Sequence, residues 1–248
     1  GHTRDGDAFK PGQPIHMSQP YAAGALVSTA DDMARWGAAV ASGKLLKASS
    51  WQQAFTPYKL ANGESTNYGY GWETGKLMGN DKVSHGGAIN GFKAYTLRVP
   101  AKDIFVAVLT NADSGLTGPD TVAYKAAAVA MGTPFPQYKP VTLAPAAMDA
   151  SVGVYGNDDK TARTIRREDG QLVMQRPGRA GIKLAAWKDD HFFIPDSLST
   201  LEFRRNAQGE VTSLAISSDG GEPVLHPHTG KKPAERTIVK IPNATFDA

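Results

Sequence analysis

Met33, Trp36, Ala39 and Val40 fall three and four residues apart, the repeat of one apolar helix face. Ser28, Thr29, Asp31 and Asp32 just ahead supply acceptors for the free amides of a first turn, and Gly43 follows. The spacing therefore predicts a helix from this cap to near Gly43. A second, shorter one is expected to start at Ser49 or Ser50 and to end before Pro57. Upstream, Pro11, Pro14 and Pro20 stand among polar residues, so the first stretch, to about residue 25, reads as an extended loop.

From Tyr68 the period changes to that of strands. Tyr68 to Trp72, Val83 to Gly87 and the alternating Phe92 to Val99 are expected strands. Ile104 to Leu109, almost wholly apolar, is expected to lie at the centre of a sheet. Pro100 to Asp103 is short enough to join the last two as an antiparallel hairpin. Pro119 to Met131, Ala-rich and closed by Gly132, predicts a helix packed on that sheet.

Pro134, Pro136, Pro140 and Pro145 then mark a linker, and short β segments follow: Val152 to Tyr155, Thr164 to Arg167, Gln171 to Gln175, Ile182 to Ala186, His191 to Ile194, Leu201 to Arg205 and Val211 to Ser217. Asp169-Gly170 signals a hairpin, and the even spacing suggests a small barrel or sandwich. The fold class expected is α+β, an antiparallel sheet with packed helices followed by a small β-barrel-like domain. The expected boundaries are 1–133, a linker at 134–145, a β domain at 146–228 and a polar tail at 229–248.

Composition narrows the chemistry. The 248 residues are 41% hydrophobic and 21% charged, ordinary for a soluble domain. Net charge is +3 with the cations scattered, so no stripe fits a nucleic-acid backbone. There is no Cys, which removes disulfides, thiolate metal sites and a Cys nucleophile. The six His include no His-x-x-x-His pair, and no metal or other cofactor is expected. No apolar run approaches the ~18 residues that span a bilayer. The polar opening Gly1-His2-Thr3-Arg4 does not read as a signal peptide, and reads as the start of a fragment or processed product.

Gly24 to Trp36, Tyr68-Gly69-Tyr70-Gly71-Trp72, His85-Gly86-Gly87 and Leu109-Thr110-Asn111, in that order and spacing, resemble the C-terminal half of the serine hydrolases that include class C β-lactamases, D-amino-acid peptidases and esterases. The resemblance covers about a third of the chain, and the later β region resembles the lipocalin-like domain some members append. Three elements meet in that family: a Ser-x-x-Lys, a Tyr-x-Asn or Ser-x-Asn loop, and a Lys-Thr-Gly or His-x-Gly strand beside the acylation site. Only the third is present here. The resemblance makes His85, Gly86, Gly87 and Ala88 the catalytic strand, with the Ala88 amide as one oxyanion donor. Two glycines suit an edge against which a substrate backbone must lie.

Tyr21, Phe92 and Asn111 are candidate substrate-binding residues. His228-Thr229-Gly230 has the letters of a rival motif, but its Pro and Lys neighbours offer no strand alternation. Tyr155-Gly156-Asn157 imitates Tyr-x-Asn beyond the linker. No Ser is followed three residues later by Lys, so no hydroxyl here has its activating base, and no Gly-x-Ser-x-Gly elbow exists.

The resemblance thus implies acyl transfer to a Ser ester, on a small-molecule or peptide substrate. This chain would provide the strand, and a complementary N-terminal segment would provide Ser-x-x-Lys. His-Gly-Gly in place of Lys-Thr-Gly removes a fixed cation, which favours an esterase or aminopeptidase over an efficient β-lactamase. It also implies a periplasmic or secreted bacterial protein. The alternative is a non-catalytic ligand-binding or interaction protein that keeps the hydrolase sheet.

Overall fold

The computed structural model describes residues 1–115 and 117–234. They divide into two compact units, the first comprising Gly1–Tyr138, Asp196–Thr200 and Ser217–Pro223.

The first unit opens with a hairpin, β1 (His2–Asp5) and β2 (Ala8–Pro11), turning at Gly6. The prolines had pointed to a wholly extended loop. Instead Pro11 sits at the end of its strand, where a missing amide costs nothing, and Pro20 caps the short helix α1 (Tyr21–Gly24). Helix α2 (Ala30–Ala41) begins as the sequence implies: the Thr29 side chain accepts from the Asp32 amide at 3.2 Å. Helix α3 (Ala48–Phe55) follows.

Tyr68–Trp72 is not a strand; a single bridge, Tyr68 to Glu73, is its only pairing among the described residues. Its chain must pass against α3, where a Cβ on Gly69 would stand 2.2 Å from the Ala54 carbonyl oxygen, and that approach is incompatible with a regular ladder.

The sheet proper runs in the order β3 (Glu73–Leu77), β4 (Asn80–Ile89), β5 (Phe92–Val99), β6 (Ile104–Thr110), all antiparallel. The apolar β6 is therefore an edge strand, not a central one. Its continuous apolar run has a different cause, since helices cover both of its faces. Helix α4 (Pro119–Ala130) packs over β5 and β6, and α2 lies over β6 with Gly37 directly against the Phe105 ring. Tyr95, Leu97 and Val99 of β5 join Leu77, Ala123, Tyr124 and Ala127 in the buried core on the α4 side.

The second unit comprises Lys139–Pro195, Leu201–Ile216 and the chain from Val224. It starts with α5 (Pro145–Asp149), a short helix inside the Pro-rich stretch, with Pro145 in its first turn. Its strands are β7 (Gly153–Tyr155), β8 (Arg163–Glu168), β9 (Gln171–Gln175), β10 (Ile182–Lys183), β11 (Ala185–Lys188), β12 (His191–Phe193), β13 (Thr200–Arg205), β14 (Val211–Ser217) and β15 (Val224–Pro227). They form two sheets, ordered β10-β9-β8-β7 and β11-β12-β13-β14-β15, joined where Gly156 N donates to Pro227 O and Thr229 N to Val154 O, both at 2.9 Å. Among the described residues they do not close into the continuous barrel that a lipocalin-like domain implies.

The break falls at Leu184, whose amide bonds to Leu172 O at 2.9 Å while its side chain enters the core. The expected strand Ile182 to Ala186 is thereby split, its first half pairing with β9 and its second with β12. Strand β15 lies inside the expected β domain but is not among the expected strands, and the tail beyond residue 234 lies outside the described residues. Tyr155, Ile165, Leu172, Phe192, Leu201, Phe203 and Leu214 fill this unit's core.

Candidate active-site strand and cleft

The geometry of His85 to Ala88 follows from two tight turns. Ile89 and Phe92 flank a two-residue loop, so they are a hydrogen-bonded pair, and the alternation of an antiparallel ladder gives the same role to Gly87 with Ala94 and His85 with Thr96. Gly86 and Ala88 therefore turn their N–H and C=O groups away from β5. The other hairpin agrees. Leu77 and Asn80 flank Met78-Gly79, which makes Lys82 and Ser84 the residues bonded to β3, in the same parity as Gly86 and Ala88. Strand β3 stops at the Glu73 to Ser84 pair. Beyond it the Gly86 and Ala88 amides face an open edge, and no described residue bonds to either.

Side chains alternate across this edge. Ser84, Gly86 and Ala88 share the face of Tyr95 and Leu97, and a Cβ on Gly86 would press on the Tyr95 ring at 3.2 Å. His85 and Gly87 share the opposite face with Ala94 and Thr96, where a Cβ on Gly87 would meet nothing within 4 Å. A cavity of about 810 Å³ opens beside this edge, lined by Gly87, Ala88, Phe92 and Asn111 together with Ile15, Met17, Leu26 and Val27.

Gly87, Ala88, Phe92 and Asn111 are thus brought together. Tyr21 is not: it starts α1 with φ of +41°, 75% exposed and outside the cavity lining, although its neighbours Ala23 and Gly24 do line it. His85 and Gly86 are also outside the lining; His85 is exposed, two residues before Gly87 on the strand, with its Nε2 2.8 Å from the Tyr68 hydroxyl. The Asn111 carbonyl accepts the His2 amide at 2.9 Å, so the opening hairpin lies beside the cleft. Asp113 secures that hairpin: its carboxylate accepts from the Thr3 hydroxyl and the Gly91 amide, both at 2.7 Å. Those two bonds hold its pKa below the usual carboxylate range.

Two features escape sequence reasoning. One is the Tyr68 and His85 contact, for which the only signal is that both residues belong to aligned motifs. The other is a buried polar cluster under the strand, where the Lys82 ammonium donates to Ser84 Oγ at 3.3 Å and sits 5.0 Å from the centre of the Tyr124 ring. Tyr124 and Tyr95 share a hydrogen bond of 3.0 Å. Burial pushes Lys82 down and both phenols up, while Asp219 and Glu73 pull Lys82 back toward its charged form. A Ser beside a Lys invites reading as a nucleophile, yet Ser84 is 0% exposed and points away from the cleft, so its role is structural.

The rival His228 lies in the second unit. It bridges to Tyr155, with ring centres 4.9 Å apart, and fills the space over Gly153, where a Cβ would fall 2.3 Å from its Nε2.

The sheet, its open edge and the cleft all lie within residues 1–131, which match the profile of the β-lactamase family. A D-aminopeptidase of Gluconobacter oxydans (strain 621H) is 24% identical over 201 residues, covering 81% of this chain and 34% of that protein. Penicillin-binding protein 4* of Bacillus subtilis (strain 168) is 24% identical over 212 residues, covering 80% of this chain and 46% of that protein. The chain thus spans less than half the length of these relatives. Among solved structures, the octameric penicillin-binding protein homologue from Pyrococcus abyssi aligns over 80% of this chain and 46% of its own, with a TM-score of 0.42 and 19% identity. SurE aligns over 92% and 55%, with a TM-score of 0.41 and 22% identity. With the profile accounting for residues 1–131 of 248, and with the antiparallel sheet and helices it implies in place, the chain belongs to the β-lactamase family.

Proposed function

We propose that this chain is the part of a serine hydrolase that supplies the strand edge and oxyanion amide for acyl transfer on an ester, amide or D-amino-acid peptide. The nucleophile comes from a complementary N-terminal segment carrying Ser-x-x-Lys, and the complete protein works in the periplasm or outside the cell. One observation carries this reading: β4 outruns β3, leaving the Gly86 and Ala88 amides without a partner among the described residues at an edge beside a cavity. Unpaired backbone donors are costly unless water or a ligand satisfies them, and a fixed amide stabilises charge that appears only in the tetrahedral state.

In the mechanism, the incoming segment's Lys takes the Ser proton as the Ser oxygen attacks the acyl carbonyl of a substrate lying along residues 86–88. Collapse of the tetrahedral state breaks the ester or amide bond and releases the alcohol or amine, which carries that proton away. The Ala88 N–H takes the developing oxyanion and Gly87 leaves room for the substrate backbone. Phe92, Asn111 and the apolar wall at Ile15 and Met17 hold the acyl group, and water later releases it from the Ser ester. The chain alone, with no Ser-x-x-Lys and with Ser84 buried beside Lys82, does not turn over p-nitrophenyl acetate.

The deciding experiment joins the nucleophile segment to this chain and compares Gly87→Val with His228→Ala on that ester. Because a side chain at Gly87 meets no protein atom, Gly87→Val is expected to fold yet lose about a hundredfold or more in turnover, by displacing the substrate from its amide donor. His228→Ala is expected to keep its rate. The reverse ranking overturns the assignment.

A further inference from the structure

Tyr68 is fixed before its side chain is considered. Its carbonyl accepts the Tyr58 amide at 2.9 Å, it bridges to Glu73, and the next amide, Gly69, donates to Trp72 O at 2.8 Å. The loop then presents the phenol edge-on to the His85 ring, with centroids 5.9 Å apart and planes at 66°, and with the hydroxyl 2.8 Å from Nε2. His85 is equally fixed, by its ladder pairing with Thr96 and by the Thr96 hydroxyl donating to the His85 carbonyl at 3.4 Å.

A phenol O–H is the stronger donor and an imidazole nitrogen without a proton the better acceptor, so when the ring is neutral the shared proton sits on the Tyr68 oxygen. Nε2 is then the acceptor, and the neutral ring must carry its own proton on Nδ1. No described residue bonds to that Nδ1, which leaves it as an exposed donor two residues along the strand from the cavity-lining Gly87.

We propose that Tyr68 is a positioning residue that locks His85 in its Nδ1–H form. The strand edge then offers a neutral donor where a lysine would offer a cation, and the site selects neutral esters and amides over substrates with a carboxylate at that point. The proposal rests on the hydrolase reading above for its substrate, but not for its proton. A neutral donor lacks the roughly twofold stronger, charge-assisted bond that an ammonium makes to a carboxylate, so carboxylate-bearing substrates lose their anchor.

The test is ¹⁵N NMR of the full 248-residue chain labelled at histidine, with the His85 signals identified by their loss in His85→Gln. The expected result is the Nδ1–H form at His85 in the native chain. In Tyr68→Phe, which keeps the ring and removes the hydroxyl, the population should move to the Nε2–H form that imidazole prefers in water. Tyr70→Phe should leave it unchanged. An Nε2–H form in the native chain, or a ratio indifferent to Tyr68→Phe, overturns the proposal, whereas a merely space-filling Tyr68 predicts that indifference. In the protein completed by its nucleophile segment, His85→Lys should raise turnover of a chromogenic cephalosporin, which bears a carboxylate, relative to p-nitrophenyl acetate. An unchanged ratio overturns the substrate part. Failure of the hydrolase reading shows instead as no ester turnover by the completed protein, with the tautomer result intact.

Discussion

At the scale of single residues, Asp113 shows how a side chain outside the cavity lining can shape a cleft. Its carboxylate ties Thr3 of the opening hairpin to the Gly91 amide in the turn between β4 and β5. Both partners are donors, so they favour the charged form and hold the pKa below the ordinary 3.8. The sign follows: a depressed carboxyl stabilises the fold above its unfolded pKa, and that contribution fades as pH falls through the folded value. Thermal melting of Asp113→Asn should therefore lie below the native chain at pH 6, and the gap should narrow toward pH 3. A gap that stays constant or widens in acid would show that the two bonds do not depend on charge.

At the scale of elements, the contact between α2 and β6 pits two magnitudes against each other. Gly in a helix interior costs about 1 kcal/mol relative to Ala, so Gly37→Ala gains that much in propensity. The added Cβ, however, would stand 2.4 Å from the Phe105 ring, inside any tolerable contact, and overpacking costs about 1 to 3 kcal/mol. Packing wins. Gly37→Ala is expected to lower the urea midpoint by the equivalent of about 1 kcal/mol, the middle of the difference between the two magnitudes, and a midpoint equal to or above the native one would mean that the ring moves freely.

The same contact shows what the sequence could and could not tell. Helix α2 was legible from Met33, Trp36 and Val40 and from the Thr29 cap, because both signals are local. The edge position of β6 was not, because an apolar run records burial on two faces without saying whether strands or helices do the covering. Likewise the open edge at Gly86 and Ala88 depends on where β3 stops, a property of a partner strand that the letters His-Gly-Gly do not carry. Strand β15 was missed because Pro223 and Pro227 bracket it, yet an edge strand tolerates proline at its ends.

At the scale of the whole chain, the first unit is not one continuous stretch of sequence. Asp196–Thr200 and Ser217–Pro223 belong to it although the chain has by then run through most of the second region. Leu198 packs against the core of Leu97, Tyr124 and their neighbours, and Gly220 lies 3.0 Å, measured from its virtual Cβ, from the Phe135 ring. Asp219 supplies the larger of the two attractive fields on the half-buried Lys82, whose charge burial opposes. A Pro-rich stretch read as a linker predicts that the chain can be cut there at little cost, but these segments predict otherwise. A polypeptide ending at Tyr138 keeps the sheet, loses the cover of Leu198, and leaves Lys82 with Glu73 as the remaining opposite charge among those acting on it. Losing one partly buried apolar side chain and the pull of one half-buried counter-charge costs on the order of 1 to 3 kcal/mol, most of it from the apolar side chain. The truncated chain should therefore melt well below the same unit within the full chain, and Asp219→Asn in the full chain should reproduce part of the loss. Equal melting temperatures for the truncated and full chains would show that the first unit stands on residues 1–138 alone.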